Sequence, residues 1–541
     1  MQISKEEILK RAKEYIVNEK TDVFKKEVQE ALKNEMFDDL YDRFYTTLAF
    51  GTAGMRGVIG GGTNRINTFM VKKVSQGLAS YLTEKCDNPS IVIAYDSRNY
   101  SREFALSASL VLAANMVKVY LYDSLRPVPM LSFALRHLKA SAGIVITASH
   151  NPSKYNGYKV YWSDGGQVTP PHDIEIAKKA NSVDSKVDDA YYNMVISSIR
   201  RKDLVEESNI TVAYTPLHGS GNIPVRSMLD KLGIKTVVVK EQEKPDGNFP
   251  TVKLPNPESA QAMEKVIELA IKEKADIVLG TDPDADRLGI AIPKNKEKSE
   301  YQLLSGNQIA TLLCDYLLET SKEKNREGIP FVAKSLVTTD LVKKITIAHG
   351  GICKDVLTGF KYIAEQIQNL ENSDDKYFLF GCEESYGFLS VPSVRDKDAV
   401  SSAVLAVEMM CYLESQGLTL QDKLESIYTK YGYSTEIVFA RDYEGASGKV
   451  EMDKIMKSFH SLKVGDTLVN RKIKSVQDLL DEDTGFPKAN VVIICFESGE
   501  KLIVRPSGTE PKIKYYIFLT GDKTTLMSQM DDIIDEFKTS L

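Results

Sequence analysis

A repeated arrangement of short β-branched runs, each followed by a polar loop and then by a helical pattern, constrains the fold most strongly. Four of these runs lie at Ile91–Tyr95, Ile210–Tyr214, Ile277–Gly280 and Tyr377–Phe380. Strands that alternate with helices form layered α/β units, and their functional side chains gather at the carboxyl ends of the strands. The recurrence predicts an α/β fold in which several related units converge on one cleft.

A chain of 541 residues is too long to fold around a single hydrophobic core. Ordinary domain sizes predict about three or four domains. The segment up to about residue 45 has helical spacing, and Ser4 with Glu7 makes a capping box at its start. Three strand-like runs close the chain and predict a smaller α+β domain there: Ile493–Phe496, Lys501–Val504 and Lys514–Phe518.

Candidate domain breaks lie in polar segments between the patterned regions. Residues 200–207 are highly charged and predict a linker, and residues 294–298 are either a second break or the turn of a hairpin. A third break is expected near residues 431–433. We therefore predict domains at 1–203, 204–312, 313–432 and 433–541, of which the first includes the helical extension.

Composition indicates a soluble globular protein, because 43% of the residues are hydrophobic and 27% are charged. The net charge of −6 gives no support for nucleic-acid binding as a main function. The six cysteines show no C-x-x-C spacing, which argues against zinc or disulfides and fits a reducing cytoplasm. Residues 1–7 contain no apolar signal region. The longest apolar segment, residues 105–122, is interrupted by Lys118, so it predicts a buried helix followed by a strand and not a membrane span.

The stretch Thr147–Pro152 follows an apolar run, Ala142–Ile146, and its Asn-Pro pair predicts a turn. The turn places the hydroxyl of Ser149 at the end of a strand, next to His150. Such a serine is a candidate nucleophile or phosphate carrier. From this stretch alone, a surface turn capped by polar side chains is an equally good interpretation.

The stretch Asp282–Arg287 reads D-P-D-A-D-R. In an extended loop, alternate side chains point the same way, so the three aspartates can converge on one hard cation. Carboxylates without nearby His or Cys favour Mg²⁺ over zinc. An EF-hand is excluded, because its glycine and glutamate positions are occupied by Arg287 and Pro293. A solvated acidic turn is the less favoured alternative, since three adjacent carboxylates repel one another.

Three further loops contain polar groups, and each of these loops alone is weak evidence for a functional site. Arg505–Lys514 offers an arginine, two hydroxyls and a glycine backbone, the donors that a phosphate dianion requires, although an ordinary turn is equally possible. Gly381–Gly387 offers carboxylates and a hydroxyl that suit sugar hydroxyls; a glycosidase acid/base pair is disfavoured because adjacent side chains diverge. The glycine-rich segment 50–62 lacks a standard phosphate-loop pattern.

Together these motifs, in this order, resemble the α-D-phosphohexomutase family and its phosphoglucomutase/phosphomannomutase branch over nearly the whole chain. The resemblance implies four domains around a central cleft, three of them related α/β units and the last a smaller α+β domain. The chain departs from D-G-D-G-D-R at its metal loop and carries Cys382 and Tyr386 in its sugar loop. These departures bear on substrate identity, not on the class of reaction.

The resemblance also implies residue roles. Ser149 matches the phosphoryl carrier, and Asp282, Asp284 and Asp286 match the metal ligands, with a phosphoserine oxygen completing the shell. Lys159 resembles the general acid/base. The remaining candidate catalytic residues are Arg56 and Arg287 near the reacting phosphate and His150 as support for the serine loop. The implied substrate-binding residues are Thr358, Gly359, Lys361, Glu383, Ser385, Lys397, Arg505, Ser507, Gly508, Thr509 and Lys514.

The implied activity is an isomerase reaction that interconverts glucose 1-phosphate and glucose 6-phosphate through a phosphoserine and a bound 1,6-bisphosphate. Mg²⁺ is the expected cofactor and a sugar 1,6-bisphosphate the expected activator. Mannose or pentose substrates, a sugar-bisphosphate synthase and a non-enzymatic sugar-phosphate sensor are the alternatives. We expect sugar phosphates as small-molecule partners, no nucleic acid, no membrane, and a cytoplasmic monomer or dimer.

Overall fold

A computed structural model of the chain describes residues 3–48, 54–166, 181–182, 186–323, 327–371, 373, 375–443, 445–481, 483–507 and 512–541. The chain divides into two compact units. The first unit comprises Met1–Leu304, Ala364–Glu371 and Ser385–Gln416. The second comprises Ser305–Ile363, Asn372–Glu384 and Gly417–Leu541.

The first unit begins with three helices, which confirms the helical prediction for this segment. They are α1 (Lys5–Asn18), α2 (Asp22–Lys33) and α3 (Phe37–Phe44). The hydroxyl of Ser4 caps α1 by accepting a hydrogen bond from the Glu7 amide at 3.3 Å. The apolar stripe of α1 is buried against the two other helices because its side chains recur at helical spacing.

A first sheet follows, with strand order β1-β5-β4-β2-β3-β6. Its strands are β1 (Met55–Val58), β2 (Ser90–Tyr95), β3 (Lys118–Leu121), β4 (Ala142–Ile146), β5 (Tyr155–Trp162) and β6 (Asn181–Ser182). The accompanying helices are α4 (Thr68–Lys85), α5 (Ser101–Ala113), α6 (Val128–His137), α7 (Lys186–Ser197) and α8 (Lys202–Glu207). Strands β4, β2 and β3 pair in parallel, whereas β5 pairs in antiparallel register with both β4 and β1. Strand β4 is buried along its whole length, as expected for a central parallel strand.

The predicted linker at 200–207 is partly wrong, because these residues include helix α8. The amides of Arg200 and Arg201 donate to the carboxylate of Glu408 at 2.8 and 2.9 Å. The buried carboxylate of Glu408 therefore holds a segment whose charge alone predicted a linker.

A second sheet in the same unit has strand order β11-β10-β9-β7-β8. Its strands are β7 (Thr211–Thr215), β8 (Lys235–Val238), β9 (Ile277–Thr281), β10 (Leu288–Pro293) and β11 (Tyr301–Leu303), and its helices are α9 (Asn222–Lys231), α10 (Lys240–Glu243) and α11 (Ala260–Glu273). Strands β10 and β11 pair in antiparallel register. Residues 294–298 therefore form the turn of a hairpin, the second of the two interpretations left open by the sequence.

Four helices and four strands follow: α12 (Gly306–Glu323), β12 (Ile329–Ser335), α13 (Asp340–Ala348), β13 (Ile352–Val356), α14 (Phe360–Leu370), β14 (Lys376–Glu383), β15 (Gly387–Leu389) and α15 (Ala399–Ser415). Strands β13, β12 and β14 pair in parallel in that order within the second unit. The carboxyl ends of β12 and β14 therefore deliver their loops to the same edge of the sheet.

The last part of the second unit is an antiparallel sheet with strand order β16-β21-β20-β19-β18-β17. Its strands are β16 (Tyr433–Asp442), β17 (Thr467–Leu468), β18 (Arg471–Asp478), β19 (Val492–Phe496), β20 (Lys501–Pro506) and β21 (Lys512–Gly521), and its helices are α16 (Leu420–Tyr431), α17 (Gly445–His460) and α18 (Lys523–Ser540). The expected α/β class with a C-terminal α+β portion is confirmed. Within the described ranges, every helix is too short or too polar to cross a membrane.

Phe104 joins the N-terminal helices to the first sheet, because its ring lies 6.2 Å from that of Phe24 and shares one hydrophobic core with Ile93 and Ile144 of the sheet. Phe104 is 0% exposed. We expect Phe104→Ala to lower the free energy of unfolding by about 3–5 kcal/mol, since truncation removes apolar contacts and leaves a cavity. Deuterium pulse-labelling of α5 peptides along a urea series measures this change.

Leu110→Ala is the control for this substitution, because Leu110 lies on the same helix but is 68% exposed. It should change the free energy by less than about 0.5 kcal/mol. Equal midpoints for the two variants would contradict a role for Phe104 in joining these layers.

Candidate functional site

Ser149 lies in a tight turn directly after β4. Its backbone has φ = +54°, an uncommon value for a residue with a side chain. Its amide donates to Thr147 Oγ1 at 2.8 Å, and the Asn151 amide donates to the Ala148 carbonyl at 3.1 Å. The turn directs Ser149 Oγ inward, where it donates to Asp282 Oδ2 at 2.9 Å.

The three aspartates converge, as the sequence predicted, but their loop is a turn and not an extended segment. The Ala285 amide donates to the Asp282 carbonyl at 2.9 Å, and Ala285 has φ = +50°. The amides of Asp286 and Arg287 both donate to Asp282 Oδ1, at 3.1 and 3.0 Å. The loop closes around the carboxylate of Asp282, because these amides need hydrogen-bond acceptors once the strand β9 has ended.

The three carboxylates form one buried group, hereafter the aspartate cluster: Asp282, Asp284 and Asp286. One oxygen from each lies within 4.8 Å of the others. All three side chains are almost inaccessible to solvent. Carboxylates that are this close and this buried require neighbouring positive charge.

Three cationic side chains surround the aspartate cluster. Lys159 Nζ, from β5, lies 2.9 Å from Asp284 Oδ2 and 3.4 Å from Asp286 Oδ2. Lys397 Nζ lies 3.1 Å from Asp286 Oδ2 and 2.9 Å from Asp396 Oδ1. The guanidinium of Arg287 lies 3.9 Å from Asp286 and also pairs with Glu258.

The pKa values reflect this arrangement. Burial raises the pKa of Asp282 well above its ordinary range, and its two acidic neighbours add to that effect. Burial acts in the same direction on Asp286, but Lys397, Lys159 and Arg287 outweigh it, so its pKa is lowered. Burial alone would lower the pKa of Lys159, yet Asp284 and Asp286 raise it. Lys159 is therefore a cation in this structure.

The aspartate cluster fits a divalent cation. Oδ1 of Asp284 and Oδ1 of Asp286 are buried, and neither has a hydrogen-bond donor among the residues that the structure describes. Buried carboxylate oxygens without donors are suited to a hard cation such as Mg²⁺. The cluster and Ser149 Oγ are the groups that could hold it.

His150 lies beside the serine with Nδ1 3.1 Å from Ser149 Oγ. Burial lowers the pKa of His150 well below its ordinary value, and Arg287 and Arg56 lower it further. The imidazole is therefore neutral and serves as a hydrogen-bonding partner of the serine. Arg56, on β1, donates to Asn151 Oδ1 at 2.8 Å and so contacts the same turn.

The sequence reasoning missed four residues in the first unit that support these groups. Asp96 and Arg98 contact the serine turn, Asp396 pairs with Lys397, and Glu258 pairs with Arg287. Asp96 and Arg98 follow directly after β2, so their position at a strand end was an available signal. Glu258 lies in an irregular segment, and no local pattern marks it.

The predicted sugar-binding residues are divided between the units. In the second unit, the Gly359 amide donates to Glu383 Oε1 at 2.8 Å, which brings Thr358 and Gly359 to the end of β14. Lys361 follows in α14, with Nζ 5.1 Å from the centroid of the Tyr362 ring. Ser385 belongs to the first unit, next to Tyr386, whose carbonyl accepts from the Leu288 amide at 3.0 Å.

The predicted phosphate loop joins β20 to β21. Arg505 and Lys514 lie directly opposite each other in the antiparallel register. The Ser507 amide donates to the Lys512 carbonyl at 2.8 Å, whereas Gly508 and Thr509 lie outside the described residues. Arg505 Nη2 donates to Tyr516 at 3.0 Å, and its buried Nε has no acceptor among the described residues. This donor is suited to an oxyanion.

Glu384 is an additional acidic group near this loop that the sequence reasoning did not assign. Its Oε2 accepts from the Ser335 hydroxyl at 3.1 Å. Burial raises the pKa of Glu384 and Glu383 raises it further, whereas Arg505 and Lys514 act in the opposite direction. Glu384 therefore lies close enough to the two cations to interact with their charge.

Family models of known proteins match most of this chain. Domain models of the phosphoglucomutase/phosphomannomutase family match three consecutive segments: alpha/beta/alpha domain I at residues 47–187, domain II at 189–295 and domain III at 305–431. Together these matches cover well over half of the chain.

Curated relatives and solved structures extend the similarity. A Staphylococcus epidermidis phosphoglucomutase is 38% identical over 538 residues, covering 93% of this chain and 96% of the relative. A phosphoglucomutase from Staphylococcus aureus is 40% identical over 512 residues, covering 88% and 90%.

Two solved structures share the fold at lower identity. The Paramecium parafusin (phosphoglucomutase) has a TM-score of 0.67 at 17% identity, covering 92% of this chain and 95% of that one. A phosphoglucomutase/phosphomannomutase family protein from Burkholderia thailandensis has a TM-score of 0.66 at 18% identity, covering 91% and 97%.

The aspartate cluster generates a prediction about metal binding. We expect one Mg²⁺ or Mn²⁺ site per chain, and we expect Asp284→Asn to weaken binding by about 10-fold or more because a charged ligand becomes neutral. Isothermal titration calorimetry measures both quantities.

Asp230→Asn removes the same charge from an exposed position on α9 and is the control. It should leave the metal affinity unchanged. An affinity in Asp284→Asn equal to that of the unaltered chain would show that the cluster is not the metal site.

Proposed function

This chain belongs to the phosphoglucomutase/phosphomannomutase family, and on that basis we propose that it interconverts glucose 1-phosphate and glucose 6-phosphate. The observation that carries the proposal is the position of Ser149 Oγ, buried and 2.9 Å from the aspartate cluster. A hydroxyl there can accept a phosphoryl group, and the basic side chains around it can offset the added charge. The relatives named phosphoglucomutase support glucose as the sugar.

The proposed reaction begins with phosphorylated Ser149. The bond from phosphorus to Ser149 Oγ breaks, and a new bond forms to the 6-hydroxyl oxygen of glucose 1-phosphate. Lys159, as a cation, donates a proton to Ser149 Oγ while the bond to phosphorus breaks, and it then takes up the proton lost from the 6-hydroxyl. The bound glucose 1,6-bisphosphate then reorients. The bond from its 1-phosphorus to the sugar O1 breaks and a bond to Ser149 Oγ forms, while the proton of Ser149 Oγ passes by way of Lys159 to O1, which releases glucose 6-phosphate.

Each proposed role is assigned to a residue of this chain. Asp282, Asp284 and Asp286 would hold Mg²⁺, which when bound neutralises charge on the phosphoryl oxygens. Arg56 and Arg287 would face the reacting phosphate, and the neutral His150 would support the phosphoserine turn. The non-reacting phosphate and the sugar hydroxyls would be bound by Thr358, Gly359, Lys361, Glu383, Ser385, Lys397, Arg505, Ser507, Gly508, Thr509 and Lys514.

The proposal extends to setting and organisation. The six cysteines are free, which supports a reducing cytoplasm. We propose four domains with the boundaries 1–203, 204–312, 313–432 and 433–541, a monomer or dimer, and sugar phosphates as the small-molecule partners. A sugar 1,6-bisphosphate would activate the enzyme by phosphorylating Ser149.

Comparison of substrates tests the proposal. With each sugar primed by its bisphosphate, we expect kcat/KM for glucose 1-phosphate to exceed that for mannose 1-phosphate and ribose 1-phosphate by about 10-fold or more, because buried polar contacts discriminate between hydroxyl arrangements. A preference for mannose or ribose would reassign the substrate within the same mechanism. Dependence of the reaction on an external acyl-phosphate donor would indicate a bisphosphate synthase. Binding of sugar phosphates without turnover in the presence of Mg²⁺ would indicate a sensor.

Replacement of the carrier tests the phosphoserine mechanism. We expect Ser149→Ala to lower kcat by roughly 10³-fold or more, since no other group takes over the covalent step. It should also abolish phosphate transfer from labelled glucose 1,6-bisphosphate to the protein, measured by intact mass. Ser153→Ala, in the same loop, is the matched control and should keep both properties. Near-native turnover in Ser149→Ala would exclude the phosphoserine route.

A further inference from the structure

Ser149 adopts a backbone conformation that its surroundings must maintain. Residues with a side chain rarely occupy the left-handed region, because Cβ crowds the backbone there. A non-glycine residue at φ = +54° persists only where neighbouring groups over-determine the local structure. The structure shows which group does so.

The guanidinium of Arg98 contacts main-chain oxygens of Ser149 and of three residues that follow it. Its Nη2 donates to the carbonyls of Ser149 and Asn151, the latter at 2.6 Å. Its Nη1 donates to the carbonyls of Pro152 and Tyr155, each at 3.1 Å. Carbonyl oxygens that point at one place repel one another, so a planar cation with several donors is required at their centre.

Arg98 is itself held rigidly. Its side chain is completely inaccessible to solvent, as is that of Asp96, and Arg98 Nε lies 3.3 Å from Asp96 Oδ2. The ring of Phe249 covers the guanidinium with its centroid 5.1 Å from Cζ. Asp96 also accepts from the Ser101 hydroxyl at 2.7 Å. These contacts fix where the four carbonyls can lie.

Thr147 connects this arrangement to the aspartate cluster. Its hydroxyl lies 2.6 Å from Asp96 Oδ2 and 3.2 Å from Asp284 Oδ2, and it accepts the Ser149 amide at 2.8 Å. The pair of Asp96 and Arg98 therefore fixes the serine turn relative to the carboxylates. A small displacement of the turn would move Ser149 Oγ away from Asp282.

We propose that Arg98 is the positioning residue for the phosphoryl carrier: it holds the main chain of residues 149–155 so that Ser149 Oγ faces the aspartate cluster. The proposal rests on the proposed function for its catalytic meaning. Arg98 touches main-chain carbonyls and not the reacting atoms, so it acts through Ser149.

Two substitutions at this position test the proposal, Arg98→Met and Arg98→Lys. Arg98→Met removes all five donors, and we expect kcat to fall by about 100-fold or more while KM for glucose 1-phosphate changes by less than about threefold. Arg98→Lys keeps a cation but loses the planar fork, so its kcat should lie between those of Arg98→Met and the unaltered chain.

Hydrogen exchange provides a second measurement that does not depend on turnover. Amides in a peptide covering 147–156 should exchange about tenfold faster or more in Arg98→Met, while peptides of α11 and β9 keep their rates. Arg43→Lys is the control, because Arg43 likewise donates to a carbonyl, that of Gly61 at 2.8 Å, and pairs with Glu27 and Asp39. It should preserve both kcat and exchange at 147–156.

The outcomes separate the two hypotheses. If the unaltered chain does not interconvert sugar phosphates, the proposed function is wrong, and exchange at 147–156 still decides whether Arg98 holds the turn. Unchanged exchange there in both Arg98 variants would refute the positioning role. A uniform rise in exchange throughout the first unit would refute it too, since that result indicates general destabilisation. If Arg98→Met does not fold, Arg98→Lys decides by the same two measurements.

Discussion

The first unit depends on the neutralisation of three carboxylates that are buried within 4.8 Å of one another. At an effective dielectric constant of about 20, two carboxylate charges 4.8 Å apart repel by roughly 3.5 kcal/mol. Three ionised carboxylates would therefore oppose folding by about as much as the whole stability of a typical domain, about 5–15 kcal/mol. Cations must therefore come from the protein itself or from a bound metal. Lys159, Lys397 and Arg287 supply them from separate parts of the chain. The fold of this region and the proposed phosphoryl transfer at Ser149 therefore depend on the same basic side chains.

Close backbone approach is the second requirement of this site. A Cβ atom at Gly157 would lie 2.4 Å from the Thr147 carbonyl oxygen, and one at Gly54 would lie 2.2 Å from that of Tyr158. These glycines let β1 and β5 pass directly beside the serine turn. Lys159 and Arg56 reach the site because they stand on strands that pack this tightly.

The sequence predicted much of this architecture, for reasons that are specific to each element. The runs that became β2, β7, β9 and β14 are short, apolar and bounded by polar loops, so their periodicity and ends were visible locally. The aspartate cluster was predicted from spacing alone, although its turn geometry was not, because the hydrogen bonds to Asp282 Oδ1 form only once the loop has closed. Glu258, Asp396 and the anchoring of α8 by Glu408 are long-range contacts, and no local pattern encodes them.

The register of β20 against β21 has a thermodynamic consequence. It sets Arg505 directly opposite Lys514, and like charges facing each other across two strands oppose folding. An anion bound between them would add to the negative charge of Glu384 in reducing that repulsion, so such a ligand would also stabilise this sheet. The free energy of folding of the hairpin and its affinity for a dianion are then linked quantities. Additional positive charge at this hairpin would therefore tighten anion binding but destabilise the sheet when no anion is bound.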